Sequence, residues 1–458
     1  MPHPDRPAFH FTAPSGWLND PNGTLYYDGE YHLFYQHHPH SLEWGPMHWG
    51  HAVSGDLLRW EHLPIALCPD ELGTIFSGSA VMDERNTSGL GEAGRVPMAA
   101  VFTHHSEEDE SQSLAWSLDG GRTFQKYPGN PVLREQGARD FRDPKVFRHE
   151  ASQAWVMVVS HGYRLRLYRS ANLLKWELMS EIHPPEAPGV ILECPDLFEL
   201  SGEDGSAWVL TYSMFEPRPG GCHQVRYVTG AFDGARFTAD SEPRLADIGW
   251  DFYAPVTFGQ VPGRAVWLGW MADPAYAGCV PSEGWNGRMT LPRELGLTQM
   301  DGRKVLTQLP VREFFALRRE AVHPVLERQA ARFDNCGSTF VVEGTISGDS
   351  RGLEVDLLGC LQLTIEPVHG QAALRRTAVG SAFRHDAFIG ERQSALPKPG
   401  ADVDFLIVVD GNSAEVFLQG GALVFSALAF PEKGRGGCTV TALVNCLPGS
   451  LALHRLYI

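Results

Sequence analysis

At 458 residues, 43% of them hydrophobic, the chain is long enough for two cores, and no apolar run approaches the roughly 18 residues that cross a bilayer. Its formal charge of −17 argues against nucleic acid, anionic membranes and polyanionic substrates as partners. The opening "MPHPDRPAFHF" lacks the basic and apolar regions of a secretory leader, and the eight cysteines include no C-x-x-C pair, so the expectation is a reducing, cytoplasmic setting with neither zinc site nor disulfide framework.

Strand-like runs bounded by Gly, Pro, Asp or Asn dominate as far as residue 310, among them "TLYYDGEYHLFYQ" from Thr24, "AWVMVVS" from Ala154, "AWVLTYSM" from Ala207 and "AVWLGWM" from Ala265. Between them a loose pattern recurs: "SGDLLRWE" from Ser54, "SLDGGRTFQKY" from Ser117, "SANLLKWEL" from Ser170 and "GAFDGARFTAD" from Gly230. Each reads as a strand end, a tight turn, then an aromatic residue opening the next strand. A second series interleaves with the first: "NDPNG" from Asn19, "FSGSAV" from Phe76, "RDPKVF" from Arg142, "ECPDLF" from Glu193 and "FYAPVTF" from Phe252. Steps of roughly 50 to 66 residues suit propeller blades, each one small sheet. Five members predict five blades over residues 1–310. "VREFFALRREAV", from Val311, has helical spacing and predicts a helical connector over 311–325. From 326 to 458 the alternating pattern returns, with Asp410-Gly411 as a hairpin signal, and predicts a sandwich. The expected fold class is therefore all-β: a five-bladed β-propeller followed by a C-terminal β-sandwich.

In a propeller, corresponding points of the innermost strands surround one axis, so the second series should converge on a single funnel. Three of its members bring a carboxylate: Asp20, Asp143 and Glu193. Taken alone, Asp20 ahead of Pro21-Asn22-Gly23 reads as a turn cap, and Asp143 beside Arg142 as an ion pair. Asp196 rivals Glu193, and Trp49 rivals Trp44. Taken together, carboxylates ringed by Trp and Phe fit the cleavage of a glycosidic bond, which needs a nucleophile and a proton donor beside surfaces that pack on sugar C–H groups. His37, His38, His40, His48 and His51 lack a metal-binding spacing such as H-E-x-x-H, and no catalytic metal is expected.

"WLNDPNG", "FYQ", "WGPMHWGHAVSGDLLRWEHLPIAL", "FSGSAV", "FRDP", "ECPDLF" and "GWNGRMTLPREL" run in order through the first 300 residues. Together they resemble glycoside hydrolase family 32, the invertases and fructan hydrolases. "VVDGNSAEVFLQGG" resembles that family's sandwich domain. The resemblance implies Asp20 as nucleophile on C2 of a β-fructofuranosyl unit, Glu193 as general acid/base and Asp143 as transition-state stabiliser. It places Asn19, Gln36, Trp44, Phe76, Ser77, Arg142 and Trp270 around the fructosyl pocket, and it requires no cofactor. Leu18, where the family commonly has Met, is a volume-conserving difference. The implied activity is retaining hydrolysis of terminal fructofuranosyl residues of sucrose and short fructo-oligosaccharides. An exo-levanase or inulinase, or a fructosyltransferase, is the alternative. The partner is a small sugar, with no nucleic acid and no membrane. Arg142 and backbone donors are expected to keep both aspartates charged.

Overall fold

A computed structural model describes residues 6–456 apart from 93, 203–204, 219, 301, 323, 328, 334–335, 433–436 and 443–449. Residues 1–5, part of the stretch read for a leader, and 457–458, the close of the sandwich segment, lie outside the described residues. Five antiparallel sheets follow one another along the chain, opening with Gly16–Tyr27, Thr74–Met82, Lys145–His149, Ile191–Gly202 and Tyr253–Thr257. Each opening strand packs against the opening strand of the next sheet, and the fifth packs back against the first. That ring makes the propeller. Its seam is tied twice: Trp285–Asn286, from the last blade, pairs in parallel with Gly16–Trp17, and Gly259 exchanges backbone hydrogen bonds of 2.9 Å with Thr24 and Tyr26.

The recurring turn is one physical device used four times. Asp56 Oδ1 accepts the N–H groups of Leu58 and Arg59 at 2.9 and 2.7 Å, and Asn172 Oδ1 those of Leu174 and Lys175 at 3.1 Å. Asp233 caps the same turn in blade 4, and in blade 2 Asp119 caps a longer version by accepting the Thr123 N–H at 2.9 Å. Such side-chain acceptors satisfy a tight turn that the strands cannot. In blades 1 and 3 the following tryptophan closes it, with Trp60 Nε1 donating to Leu57 O at 3.0 Å and Trp176 Nε1 to Leu173 O at 2.9 Å.

The 311–325 segment begins as a 3-10 helix, Arg312–Leu317, and then becomes strand Arg318–Val322, which pairs with Ala452–Leu456. Beyond it a six-stranded and a seven-stranded sheet face each other across Val355, Leu363, Ile407, Val416 and Phe425. Asp410 does end a hairpin strand. Its carboxylate also accepts N–H groups from Ala8, Phe9 and His10 at 2.7 to 3.2 Å, which sews the start of the chain to the sandwich. Arg293 of the last blade, fully buried, pairs with Asp247 and with Glu415 of the sandwich. Buried charges of this kind persist only when every one is matched.

Candidate active site

In four blades an X-Pro pair lies in the opening strand or directly ahead of it, close to the funnel: Asp20-Pro21, Asp143-Pro144, Cys194-Pro195 and Ala254-Pro255. Proline has no N–H to give the ladder, so it is tolerated where the ladder is already broken. The register shifts at these points between Leu18 and Pro21, Glu193 and Asp196, and Tyr253 and Val256. Blade 2 shifts between Ile75 and Gly78, and there a Cβ on Gly78 would lie 2.2 Å from Val101 O. Asp143, Cys194 and Ala254 have φ of 65°, 45° and 49°. Non-glycine residues in this region cost about 1–3 kcal/mol each and gather at functional sites. Bulges re-aim side chains. Here they bring Asn19 and Asp20, Phe76 and Ser77, Arg142 and Asp143, and then Glu193 and Tyr253 onto one cavity.

All ten candidate residues, Asn19, Asp20, Gln36, Trp44, Phe76, Ser77, Arg142, Asp143, Glu193 and Trp270, line one cavity of about 1050 Å³. Ser77 Oγ donates to Asp20 Oδ2 at 3.0 Å. The Cys194 N–H donates to Asp143 Oδ2 at 2.9 Å, and its thiol lies 3.6 Å from Asp20 Oδ2 and 3.5 Å from Asp143 Oδ2. Burial holds that thiol in its neutral, donating form. Glu193 is gripped at both oxygens, by Arg142 Nη2 at 2.9 Å and by the Tyr253 hydroxyl at 2.5 Å. Arg142 also reaches Glu110 at 3.1 Å and Asp140 at 2.8 Å, and these anions raise its pKa further above its ordinary value. The cavity wall is aromatic: Trp270 meets Trp17 edge-on at 5.9 Å, and Phe76 stacks on His105 at 4.1 Å.

The expectation that Arg142 and backbone donors keep both aspartates charged meets an opposing push from burial, stronger at Asp143 than at Asp20. Burial, then the charge of Glu193, raises Asp20 to about 6. Burial raises Asp143 to about 8 against the pull of Arg142. Asp20, Asp143 and Glu193 share the funnel with other carboxylates, and Arg142 divides its charge among Glu193, Glu110, Asp143 and Asp140. Sequence reading also missed Tyr253, Glu110 and His105.

Beneath the carboxylates the axis narrows to a space of about 10 Å³, bounded by Pro21, Gly78, Pro144, Pro195 and Val256. Asp196 lies below this, outside the cavity and fully buried, where its Oδ2 accepts Lys145 Nζ at 3.0 Å and the Thr257 N–H and hydroxyl at 2.7 Å. Trp49 is fully buried and donates from Nε1 to Phe76 O at 3.0 Å, whereas Trp44 is 58% exposed at the mouth. Among the described residues no three His, Cys, Asp or Glu side chains are grouped to hold a metal. His37 bonds Trp17 O and His51 bonds His32.

The profile for the glycosyl hydrolases family 32 N-terminal domain matches residues 10–310, and that for the family's C-terminal domain matches 339–446. The chain belongs to glycoside hydrolase family 32. It is 40% identical to a levanase of Bacillus subtilis (strain 168), over 98% of this chain and 70% of that protein. It is 34% identical to an extracellular exo-inulinase of Aspergillus niger, over 94% of this chain and 90% of that protein. The crystal structure of the exo-inulinase from Aspergillus awamori superposes with a TM-score of 0.90 at 31% identity, covering 100% of this chain and 99% of that one. Like its family 32 relatives, the chain is a glycoside hydrolase of the group that acts on fructans and sucrose.

Asp196 gives this family 32 chain a structural prediction. Asp196→Ala would leave the Lys145 ammonium buried without its carboxylate, at a cost of about 3–5 kcal/mol. The guanidinium midpoint for unfolding should therefore drop clearly for Asp196→Ala and less for Glu193→Ala, because Arg142 keeps Glu110 and Asp140. Equal midpoints for the two variants would contradict a structural role for Asp196.

Proposed function

We propose that this chain is a retaining exo-β-fructosidase that releases terminal fructofuranosyl units from fructans of levan or inulin type, and from sucrose. The observation that carries the reading is the blind cavity: Asp20, Asp143 and Glu193 sit at the plugged end, so a sugar chain can enter only end first. The names of the relatives, levanase and exo-inulinase, favour polymeric fructans over a substrate range limited to sucrose and short oligosaccharides.

In this reading Asp20 attacks C2 of the terminal fructosyl unit while Glu193 gives its proton to the departing glycosidic oxygen. The C2–O bond breaks, a fructosyl ester forms on Asp20, and the shortened chain leaves. Glu193, now a carboxylate, takes a proton from water, and the water oxygen attacks C2 to free Asp20. Asp143 accepts hydrogen bonds from the fructose hydroxyls, and these donors stabilise its charged form as positive charge grows at C2. Arg142 and Tyr253 aim the Glu193 carboxyl, and the Trp17–Trp270 wall packs on the sugar ring. No cofactor enters the scheme. Exposed free thiols at Cys68 and Cys279 fit work in a reducing, cytoplasmic compartment.

Incubation with levan, inulin and sucrose tests both parts. Free fructose should be the sole small product from the polymers, with no internal fragments on chromatography. Carbon NMR early in the reaction should show β-fructofuranose first. Internal fragments would require an open cleft, and the α-anomer first would require direct attack by water. Either result overturns its part of the reading.

A further inference from the structure

Two aromatic side chains among the described residues are more than a third exposed, Trp44 at 58% and Tyr163 at 64%. Both lie on connections between the second and third strands of a blade, at the propeller end where the carboxylates are. Trp44 lines the cavity. Tyr163 has no place in the catalytic scheme, and single exposed aromatics often have no function at all. Its position argues otherwise.

Blade 3 has the shortest of these connections, the turn at Gly162-Tyr163 between Ala154–His161 and Arg164–Ser170. The turn is pinned to the site on both sides. Gly162 N donates to Asp140 O and Leu192 N to Gly162 O, each at 2.8 Å. Asp140 lines the cavity and bonds Arg142, and Leu192 precedes Glu193. The other four blades send cavity-lining residues from the corresponding region: Trp44, Glu107, Phe215 and Pro274. At blade 3 the rim is therefore low, and a chain longer than the cavity has its way out there. Tyr163 stands on that sill. The Arg164 guanidinium lies 5.8 Å from its ring and the His183 ring 6.5 Å away, farther out along the same blade.

We infer that Tyr163 forms an outer subsite for the fructosyl units of a fructan that lie beyond the leaving residue, the ring packing on furanose C–H faces while Arg164 and His183 offer polar contacts to hydroxyls. The inference rests on the fructan reading above. It assigns to Tyr163 binding of distant units only, with no part in bond cleavage. Such contacts hold ground state and transition state alike and appear in KM rather than kcat.

The test compares kcat/KM on sucrose, on the trisaccharide and tetrasaccharide of an inulin series, and on inulin. For the natural chain it should rise with length. Tyr163→Ala should lower the value for inulin by roughly tenfold through KM, the size of one lost aromatic packing contact, and leave sucrose unchanged. Tyr163→Phe, which keeps the ring, should match the natural chain. If the natural chain cleaves inulin and Tyr163→Ala keeps the same inulin-to-sucrose ratio, the outer subsite is wrong and the fructan reading stands. If the natural chain cleaves sucrose and leaves every fructan intact, both fall together.

Discussion

Asp20→Asn is expected to lose more than about 10⁴-fold in kcat on sucrose and yet to be more stable than the natural protein at pH 8. The first effect follows from the role proposed for Asp20, because an amide cannot form the fructosyl ester. The second follows from where the carboxylate sits. Burial and the neighbouring Glu193 charge lift its pKa to about 6, above the ordinary carboxylate value of 3.8. The folded state thus binds the proton more tightly than the unfolded chain does. Stability from this group is complete below about pH 4, declines as pH rises through 6, and is gone above that. Asparagine keeps the shape and removes the titration, so it should gain roughly 1–2 kcal/mol at pH 8 after allowance for partial exposure, and nothing at pH 4. Thermal unfolding of both proteins at the two pH values would show it. The same pKa predicts that the natural enzyme's kcat/KM falls about tenfold per pH unit below 6, as the nucleophile becomes protonated. A variant destabilised at both pH values would mean that the Ser77 and Cys194 hydrogen bonds to Asp20 outweigh its burial.

Such a trade between activity and stability is what Asp20, Asp143 and Glu193, buried close together, should produce. It was half legible in the sequence. The repeat placed Asp20, Asp143 and Glu193 on one funnel, and the bulges give the physical reason: the ladders open near the funnel and turn neighbouring residues inward. Matching those places gives Asn19, Phe76, Arg142, Glu193 and Tyr253 at the first position, and Asp20, Ser77, Asp143, Cys194 and Ala254 at the second. Tyr253 could therefore have been found from the alignment of "YAP" with "ECP". A search for acids passes over it, although a hydroxyl that grips the acid serves the same chemistry. Glu110 gave no such signal. It opens the third strand of blade 2 beyond a loop, and its contact with Arg142 depends on how that loop folds. The push of burial on the aspartates was equally hidden, since counting Arg142 as their counterion ignores Glu193, Glu110 and Asp140, which compete for it. At 311–325 the helical spacing was real for one 3-10 turn. The remainder gained more by adding an edge to the sandwich, where Arg318 pairs with Glu343 at 2.6 Å.

Glu193→Ala is expected to lower sucrose cleavage by roughly 10⁴-fold, the upper end of what general acid–base catalysis supplies. The sugar alkoxide is a poor leaving group and cannot depart without a proton. A nitrophenyl β-fructofuranoside needs no such help, so it should still transfer its fructosyl group to Asp20. The ester should then accumulate, visible as a burst of nitrophenol followed by a slow phase, because no base remains to deprotonate water. Azide carries its own charge and needs no base. It should restore turnover and yield β-fructosyl azide, whereas Asp20→Ala should yield none with retained configuration. A further consequence separates this residue from a mere structural neighbour. Glu193 is, after burial, the first cause raising the pKa of Asp20. Removing its charge should move the acid limb of nitrophenyl fructoside cleavage to lower pH. Arg142 retains Glu110 and Asp140 as partners, so the fold should survive the substitution. If Glu193→Ala kept most of its sucrose activity while a folded Asp196→Asn lost it, the proton donor would have to be sought below the floor of the cavity, and the blind-ended geometry of the proposed reaction would have to be abandoned with it.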